Sequence, residues 1–423
     1  MRLRRAWPYG VIAAACALPR IAALVYDRGG ILVGNVEKSD TLAQVFLQSG
    51  TFGYVPGEPS ASTQPLYGWF LIVVYWIFGR HWWSVGFVQI AVAVGTAFIV
   101  YEIGRRFFSR KVGLIAALVA TLQPYLIWHD VHVNREILDQ PLGAGMFLLA
   151  VWADRERSWR LAAALGVVSG LAVLSNARLL VFPLVLAAYI AWRHVPLRGV
   201  VLVPVLAAIA LLPWLVRNKV DVGCFTITTD ARALWKANNS ATYGLLAKGI
   251  WIDGVPDPPE VHKRGWVTPT QARDFYVHGG RKVDVHECAQ QSYYEHLVFQ
   301  FWEHHPGEKA KLMVQATELL WSPAVSADTG GPESGGAFHA AKHVFEPAYT
   351  IPLYALALAG LFFVSAPIRV LAILFALFET AEAWVFAGTT RYRVPWDFVL
   401  ALLAAVALTR LVPLLRRRSS QYR

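Results

Sequence analysis

Residues 65–79 read PLYGWFLIVVYWIFG, and the way this stretch is read fixes the side of every loop that follows. It is apolar throughout, but a membrane-spanning helix needs roughly 17–25 such residues. If it crossed, RRFFSRK (105–111), DRERSWR (154–160) and the arginine-rich tail would all face outward. Short basic loops favour the cytoplasmic side. Read instead as a half-inserted, interface-lying helix, the stretch leaves every basic segment inside. Those segments are Arg2/Arg4/Arg5, 105–111, 155–160, Arg193/Arg198, Arg369 and the tail Arg416/Arg417/Arg418/Arg423. The second reading is adopted here.

Working outward, ten apolar blocks have spanning length or nearly so: Pro8–Val25, Ser84–Gly104, Gly113–Trp128, Ile137–Ala153, Leu161–Asn176, Leu179–Trp192, Val200–Val216, Pro347–Val364, Ile368–Ala387 and Trp396–Leu411. Of 423 residues, 56% are hydrophobic and 16% charged, and the mean hydropathy is +0.42. That balance excludes an ordinary soluble domain. The expected fold is an all-α polytopic membrane protein of about ten transmembrane helices. Interface helices occupy its first external loop, and it carries a small external domain. The first block has no convincing cleavage site and is expected to stay as an anchor. The net charge of +11 is concentrated in cytoplasmic loops, so it does not point to nucleic acid.

This topology exposes residues 26–83, the turn 129–135, the long segment 217–346 and the turn 388–395. It divides the chain into a membrane module (1–216), an external periplasmic domain (217–346) and C-terminal helices with a basic cytoplasmic tail (347–423). The stretch GGPESGG (330–336) suggests a mobile portion of the external domain. Cys224 and Cys288 share that domain, where the compartment permits a disulfide. Sequence does not show their proximity, and Cys16 lies in a span. No internal repeat stands out, which disfavours a transporter built from matched halves.

Several ionisable residues fall at the outer membrane face. Asp40 opens DTLAQVFLQSG, where Leu42, Val45 and Phe46 recur at helical spacing. It reads as the amino-terminal cap of a short amphipathic surface helix, a role compatible with a carboxylate facing a cavity. Glu136 and Asp139 begin the span after the second external turn. Arg135 and Asp139 are spaced to pair, whereas Glu136 has no such partner and is expected to project from the membrane edge. Its two readings are a charge complementing the helix dipole and a functional acid. Arg217, Arg391 and Arg393 mark outer ends of spans against the general charge bias. Each either snorkels to headgroups or grips a phosphate. Arg20 and the pair Glu379/Glu382 lie within or near spans, lining a cavity or pairing structurally. The external histidines show no metal-ligand frame; His339 and His343 are four apart without HExxH. GGPESGG lacks GK[ST] and is no P-loop, and no GxSxG nucleophile appears.

At these same positions the chain resembles the GT-C superfamily of membrane glycosyltransferases. The likeness is to the bacterial family 39 type, related to protein O-mannosyltransferases and lipid A aminoarabinose transferases. The resemblance rests on Asp40 with Ala43, Gly50-x-Phe52 and QPLYGWF; on RRFFSRKVGLIAALVATLQP; on NREILDQPL; on PWLVRNKVDVGCF followed by LWKANN; and on RYRVPWDFVLALLAAVAL. It implies Asp40 as catalytic base, Glu136 as second acid, and Arg217, Arg391 and Arg393 as donor-phosphate ligands. Arg20, Arg178, Tyr392 and Asn238 are implied as cavity residues. The sequence departs from the pattern at Thr41, where many relatives carry a second acid, and at LSNARLL (174–180), where Arg178 stands in a shifted position. Some relatives hold a divalent cation; no clear ligand set is visible here, and no other cofactor is implied.

The implied activity is transfer of a sugar from a polyprenyl-phosphate donor to a lipid, glycan or protein hydroxyl, with inversion. The site is expected on the periplasmic side of the inner (cytoplasmic) membrane. Competing readings are a glycan ligase or polymerase using a lipid-pyrophosphate donor, and a lipid or solute transporter. No motif names the sugar or the acceptor.

Overall fold

The computed structural model describes residues 3–34, 36–325 and 341–421. GGPESGG and His339 lie outside the described residues. So do the side chains of Arg2, Arg4, Arg5, Arg416, Arg417, Arg418 and Arg423. The described chain is built from helices. Apart from one isolated antiparallel bridge between Val55 and Glu58, no strand pairing occurs among the described residues.

In chain order the helices are α1 (Leu3–Tyr26), α2 (Lys38–Ser49), α3 (Pro65–Phe78), α4 (Trp82–Phe107), α5 (Arg110–Thr121), α6 (Pro124–His129), α7 (Glu136–Glu156) and α8 (Trp159–Ser175). A 3-10 turn, Ala177–Val181, leads into α9 (Phe182–Trp192) and α10 (Leu197–Asp221). The segment that follows holds α11 (Ala231–Lys236), α12 (Thr242–Ala247), α13 (Pro259–Lys263), α14 (Pro269–Gly279), α15 (Glu287–His304) and α16 (Pro306–Trp321). The last helices are α17 (Glu346–Leu361), α18 (Ala366–Val385), the short α19 (Thr390–Arg393) and α20 (Phe398–Gln421).

Every apolar block falls on one or two of these helices, and the chain is a multi-pass membrane protein. Among the described residues four helices are long and apolar enough to cross a bilayer: Ala6–Tyr26, Trp82–Phe107, Leu197–Asp221 and His343–Leu361. A fifth span is formed if Thr390–Trp396 and Phe398–Pro413, bent by 55°, count as one. The block Gly113–Trp128 is broken into α5 and α6, with Pro124 at the first position of α6, where its missing N–H costs nothing.

The stretch that opened the sequence reading forms α3, fourteen residues long. At 1.5 Å per residue that is about 21 Å, short of a hydrocarbon core of about 30 Å. Trp69, Val73, Trp76, Ile77 and Phe78 are exposed along it, while Tyr67, Leu71 and Val74 pack inward. It lies beside α2, which buries Leu42, Ala43 and Val45. Asp40 sits inside the first turn of α2, and the cap is Glu37, which makes no capping bond.

The principal core joins α7, α8, α9, α18 and α20 through Phe147, Leu165, Phe182, Phe375 and Phe398. Helices α8 and α10 pack closely because small residues face each other: a Cβ on Gly166 would stand 2.7 Å from the Val203 carbonyl oxygen. The external segment is tied to the end of α10 by a disulfide, Cys224–Cys288. At the other side Gly388 lets the turn before α19 rest on α16, where a Cβ would come within 1.8 Å of the Ala316 oxygen. These two fastenings bring the external helices over the helix ends where the charged residues gather.

Candidate functional site

A cavity of about 360 Å³ opens where seven separate stretches converge. They are the start of α2 (Val36, Glu37, Lys38), Thr63 and Gln64 before α3, Val133 and Arg135 before α7, and Ala177 and Arg178 in the 3-10 turn. The external segment contributes Thr228 to Leu234 and Trp251 to Asp253, and Phe386, Arg391 and Tyr392 close the ring. In the charge-based topology each of these stretches lies at the outer ends of spans. Their convergence on one cavity follows if the loops share one side.

Arg391 is the hub of the floor. Its Nε donates to Glu136 at 2.7 Å, and its Nη2 donates to Glu136 at 3.1 Å, to Asn134 at 3.0 Å and to Glu37 at 3.3 Å. Glu136 is 1% exposed. Burial alone pushes its pKa up, yet Arg391, His129 and Arg135 outweigh that and hold the carboxyl well below the ordinary range. His129 stands 3.6 Å and Arg135 3.7 Å from this carboxylate. Arg135 also donates to Gln64 at 2.6 Å, and its Nε is buried without a hydrogen-bond partner. Arg178 lies flat against Tyr392, its guanidinium carbon 3.6 Å from the ring centroid, and 5.0 Å from Phe386. Among the described residues that guanidinium makes no hydrogen bond or ion pair. Three guanidinium groups therefore ring the cavity, and one of them, Arg178, rests on aromatic faces without a hydrogen bond.

The residues singled out in the sequence divide sharply. Arg178, Arg391 and Tyr392 line the cavity, and Glu136 lies directly beneath it through Arg391. Asp40 does not line it. Its carboxylate is 4% exposed and takes a bidentate ion pair from Arg80, at 2.9 Å for both bonds. Tyr75 and Gln44 donate to the same two oxygens. Arg217 faces elsewhere, donating to the carbonyls of Ser60 and Phe52 and pairing with Asp221 at 3.2 Å. Arg393 is sealed in the protein, bonded to Asp397 and to the carbonyls of Leu320 and Ser322. Arg20 is likewise sealed, on Asp130 and the Thr121 carbonyl. Asn238 bridges Leu234 and the end of α18 at Val385 and receives Trp302, a structural brace.

Two local expectations are corrected. Arg135 does not pair with Asp139, whose carboxylate instead takes Ser175 at 2.6 Å and Asn176 at 3.4 Å. Glu136 does not project from the membrane edge without a partner, because three basic side chains enclose it. Conversely, Glu37, Lys38, Asp230 and Asp253 line the cavity and were passed over. The charges in NVEKSD were visible, but only the aspartate sat at an obvious helical start. Among the described residues, no group of three or more histidine, cysteine or acidic side chains is placed to hold a metal.

The chain superposes along 100% of its length on the archaeal oligosaccharyltransferase AglB from Archaeoglobus fulgidus, in complex with an inhibitory peptide and dolichol-phosphate. The TM-score is 0.56 and the identity 13%. The fold is of the GT-C type. Its match covers 52% of AglB, so this chain spans about half the length of that relative. The apo form of the same archaeal enzyme aligns with 99% of this chain and 52% of its own, at TM-score 0.54 and 12% identity. ArnT from Cupriavidus metallidurans, bound to undecaprenyl phosphate, is matched over 93% of this chain and 77% of its own, at 15% identity and TM-score 0.39. Residues 59–216 match the family described as dolichyl-phosphate-mannose-protein mannosyltransferase. Among curated proteins none matches the sequence.

Proposed function

We propose that this chain is a membrane glycosyltransferase that moves a sugar from a polyprenyl-phosphate carrier to an acceptor hydroxyl at the outer face of a cytoplasmic membrane. One observation carries the reading: a single cavity at the span ends joins an accessible acid, Glu37, to the guanidinium groups of Arg135, Arg178 and Arg391. AglB, whose fold is similar, was captured with a lipid phosphate and a peptide. A carrier of that kind keeps its tail in the bilayer and presents phosphate and sugar at the level of this cavity.

In this scheme Arg178 and Arg135 receive the donor phosphate. Fixed cations are effective at such a point because they stabilise negative charge as it develops, and removing one such donor costs roughly 3–4 kcal/mol. Glu37, and not Asp40, serves as the base. Asp40 does not line the cavity, and Arg80, Tyr75 and Gln44 already occupy both of its oxygens. The acceptor oxygen attacks the anomeric carbon on the side opposite the phosphate, and its proton passes to the Glu37 carboxylate. The bond from that carbon to the phosphate oxygen breaks, the carrier phosphate departs with the electron pair, and configuration inverts. Glu136 acts through Arg391 as a positioning residue. Asp40 and Arg80 fix the start of α2, from which Glu37 reaches the cavity.

The test is carrier-phosphate release by the purified chain from a panel of polyprenyl-phosphate pentoses and hexoses, with a mixed acceptor pool. Glu37→Gln is expected to lose about 10²–10⁴-fold of the rate, the usual range for a general base. Release by Glu37→Gln equal to wild type removes Glu37 from the chemistry. Absence of release by wild type with every donor removes the transferase reading.

A further inference from the structure

The cavity does not end at the first-loop acid. It shares Lys38, Asp230 and Asp253 with a chamber of about 120 Å³. That chamber in turn shares Tyr54, Pro269, Val285 and Glu287 with an outer cleft of about 350 Å³ beside the Cys224–Cys288 disulfide. Three spaces therefore lie in a row along the seam between the first loop and the external segment. We propose that this seam is the acceptor's path, and that the acceptor portion it takes is a neutral saccharide chain whose terminal hydroxyl reaches Glu37. The proposal rests on the transferase reading above and adds the class of acceptor to it.

The chemistry of the walls argues for the class. The chamber sets hydroxyls (Ser62, Thr229, Thr270), carboxylates (Asp230, Asp253) and a cation, Lys38, beside the rings of Tyr54 and Tyr294, the mixture of polar groups and flat apolar faces that a sugar ring presents in turn. A lipid tail there would meet charged and hydroxyl groups it cannot hydrogen-bond, and any it sealed from water without a partner would cost roughly 1–3 kcal/mol. Carboxylates only accept and ammonium groups only donate. A sugar ring carries hydroxyls that do both, within the breadth of one small chamber. A peptide places its side chains farther apart and brings backbone groups that these short side chains do not match. With Asp230, Asp253 and Glu287 against Lys38 and Arg232, the wall also opposes an acidic chain. The joint between chamber and main cavity is the loosest ion pair in the seam, Lys38 to Asp230 at 3.7 Å, with side chains 51% and 35% exposed. Lys38 is the neighbour of Glu37, so a hydroxyl that displaces this contact arrives beside the base.

Thr270 lines the chamber from the exposed first turn of α14, where an indole is tolerated by the fold but fills the passage. The full chain in lipid nanodiscs is examined by saturation-transfer NMR with maltotetraose and cellotetraose, and with a Gly-Ser tetrapeptide as the competing class. A saccharide signal is expected from wild type and from Thr270→Ser, reduced at least tenfold in Thr270→Trp and unchanged in Arg178→Gln. A signal undiminished in Thr270→Trp, a signal from the peptide alone, or none from either saccharide overturns the proposal. Carrier release is followed on the same samples. Saccharide binding that depends on Thr270 without any carrier release would sink the transferase reading while leaving the path intact.

Discussion

Arg391 and Arg393 stand two residues apart on the short helix α19, on nearly opposite faces because two residues turn a helix by about 200°. Arg391 looks into the cavity and is shared among Glu136, Glu37 and Asn134. Arg393 looks into the protein, where it is 1% exposed. There it holds Asp397 at 3.3 Å, Glu346 at 3.6 Å and two carbonyls that end α16. One side chain type thus does two jobs within a single turn. The sealed arginine fastens α16 and the start of α20 to one another through Nε and Nη1, while its Nη2 lies 3.6 Å from Glu346 of α17 without a hydrogen bond. Arg391 lines the cavity and, bonded to Glu136, Glu37 and Asn134, fixes those groups at its floor. An ionisable group near membrane depth marks function only when its surroundings leave it something to bind.

The comparison is broken most severely by Arg393→Ala. Removing one partner from a buried ion pair leaves an uncompensated charge and costs about 3–5 kcal/mol. The expected outcome is a large fall in melting temperature in detergent, with low yield of folded protein. Glu346→Gln is expected to shift it in the same direction by less, since Gln123 and Thr350 still have an oxygen to donate to. A melting temperature unchanged in Arg393→Ala would mean that the sealed cluster is not structural.

The opposite signature belongs to Arg178→Gln. Carrier release is expected to fall about 10²–10³-fold, the typical loss for one charge-stabilising donor. Stability is expected to move less, because the guanidinium makes no hydrogen bond or close ion pair among the described residues and its direct contacts are the rings of Tyr392 and Phe386, worth about 0.5–1 kcal/mol. A variant that melts as early as Arg393→Ala and keeps its rate would reverse the assignment of the two regions.

Much of the framework was legible because it follows from local rules. The helices, the shortness of the apolar element at 65–78 and the cluster of charges at helix ends are dictated by apolar runs and loop charge. The site was legible only in part. RYR tells a reader that two arginines point opposite ways, but not which faces a cavity; that is decided by Glu136, 255 residues distant, and by Leu320 and Ser322. Asp40 looked available because its captor, Arg80, is forty residues on, in the link between α3 and α4. Arg217 looked outward for the same reason: the carbonyls that occupy it belong to Phe52 and Ser60. Local spacing shows that a charge exists and which way the helix aims it. It does not show whether a distant backbone has already claimed it.

Asp257 in the external segment is the intermediate case and yields the smallest effect. Arg232 grips both of its oxygens at 2.7 Å, and Tyr294 donates at 3.0 Å, yet Arg232 is about one-third exposed. Burial favours the neutral acid, but Arg232 and Tyr294 outweigh it and hold the carboxyl below its ordinary value. A folded pKa below the unfolded one, about 3.9, means that the stabilisation is fully present above that pH and is lost as pH falls through the folded value. Solvent screening limits the pair to about 1 kcal/mol or less. The gap in melting temperature between wild type and Asp257→Asn should therefore be constant from pH 7 to about pH 5 and close as the sample is acidified below about pH 4. A gap that persists unchanged into strong acid would show that the amide loses packing rather than charge, and would move Asp257 to the sealed class with Arg393.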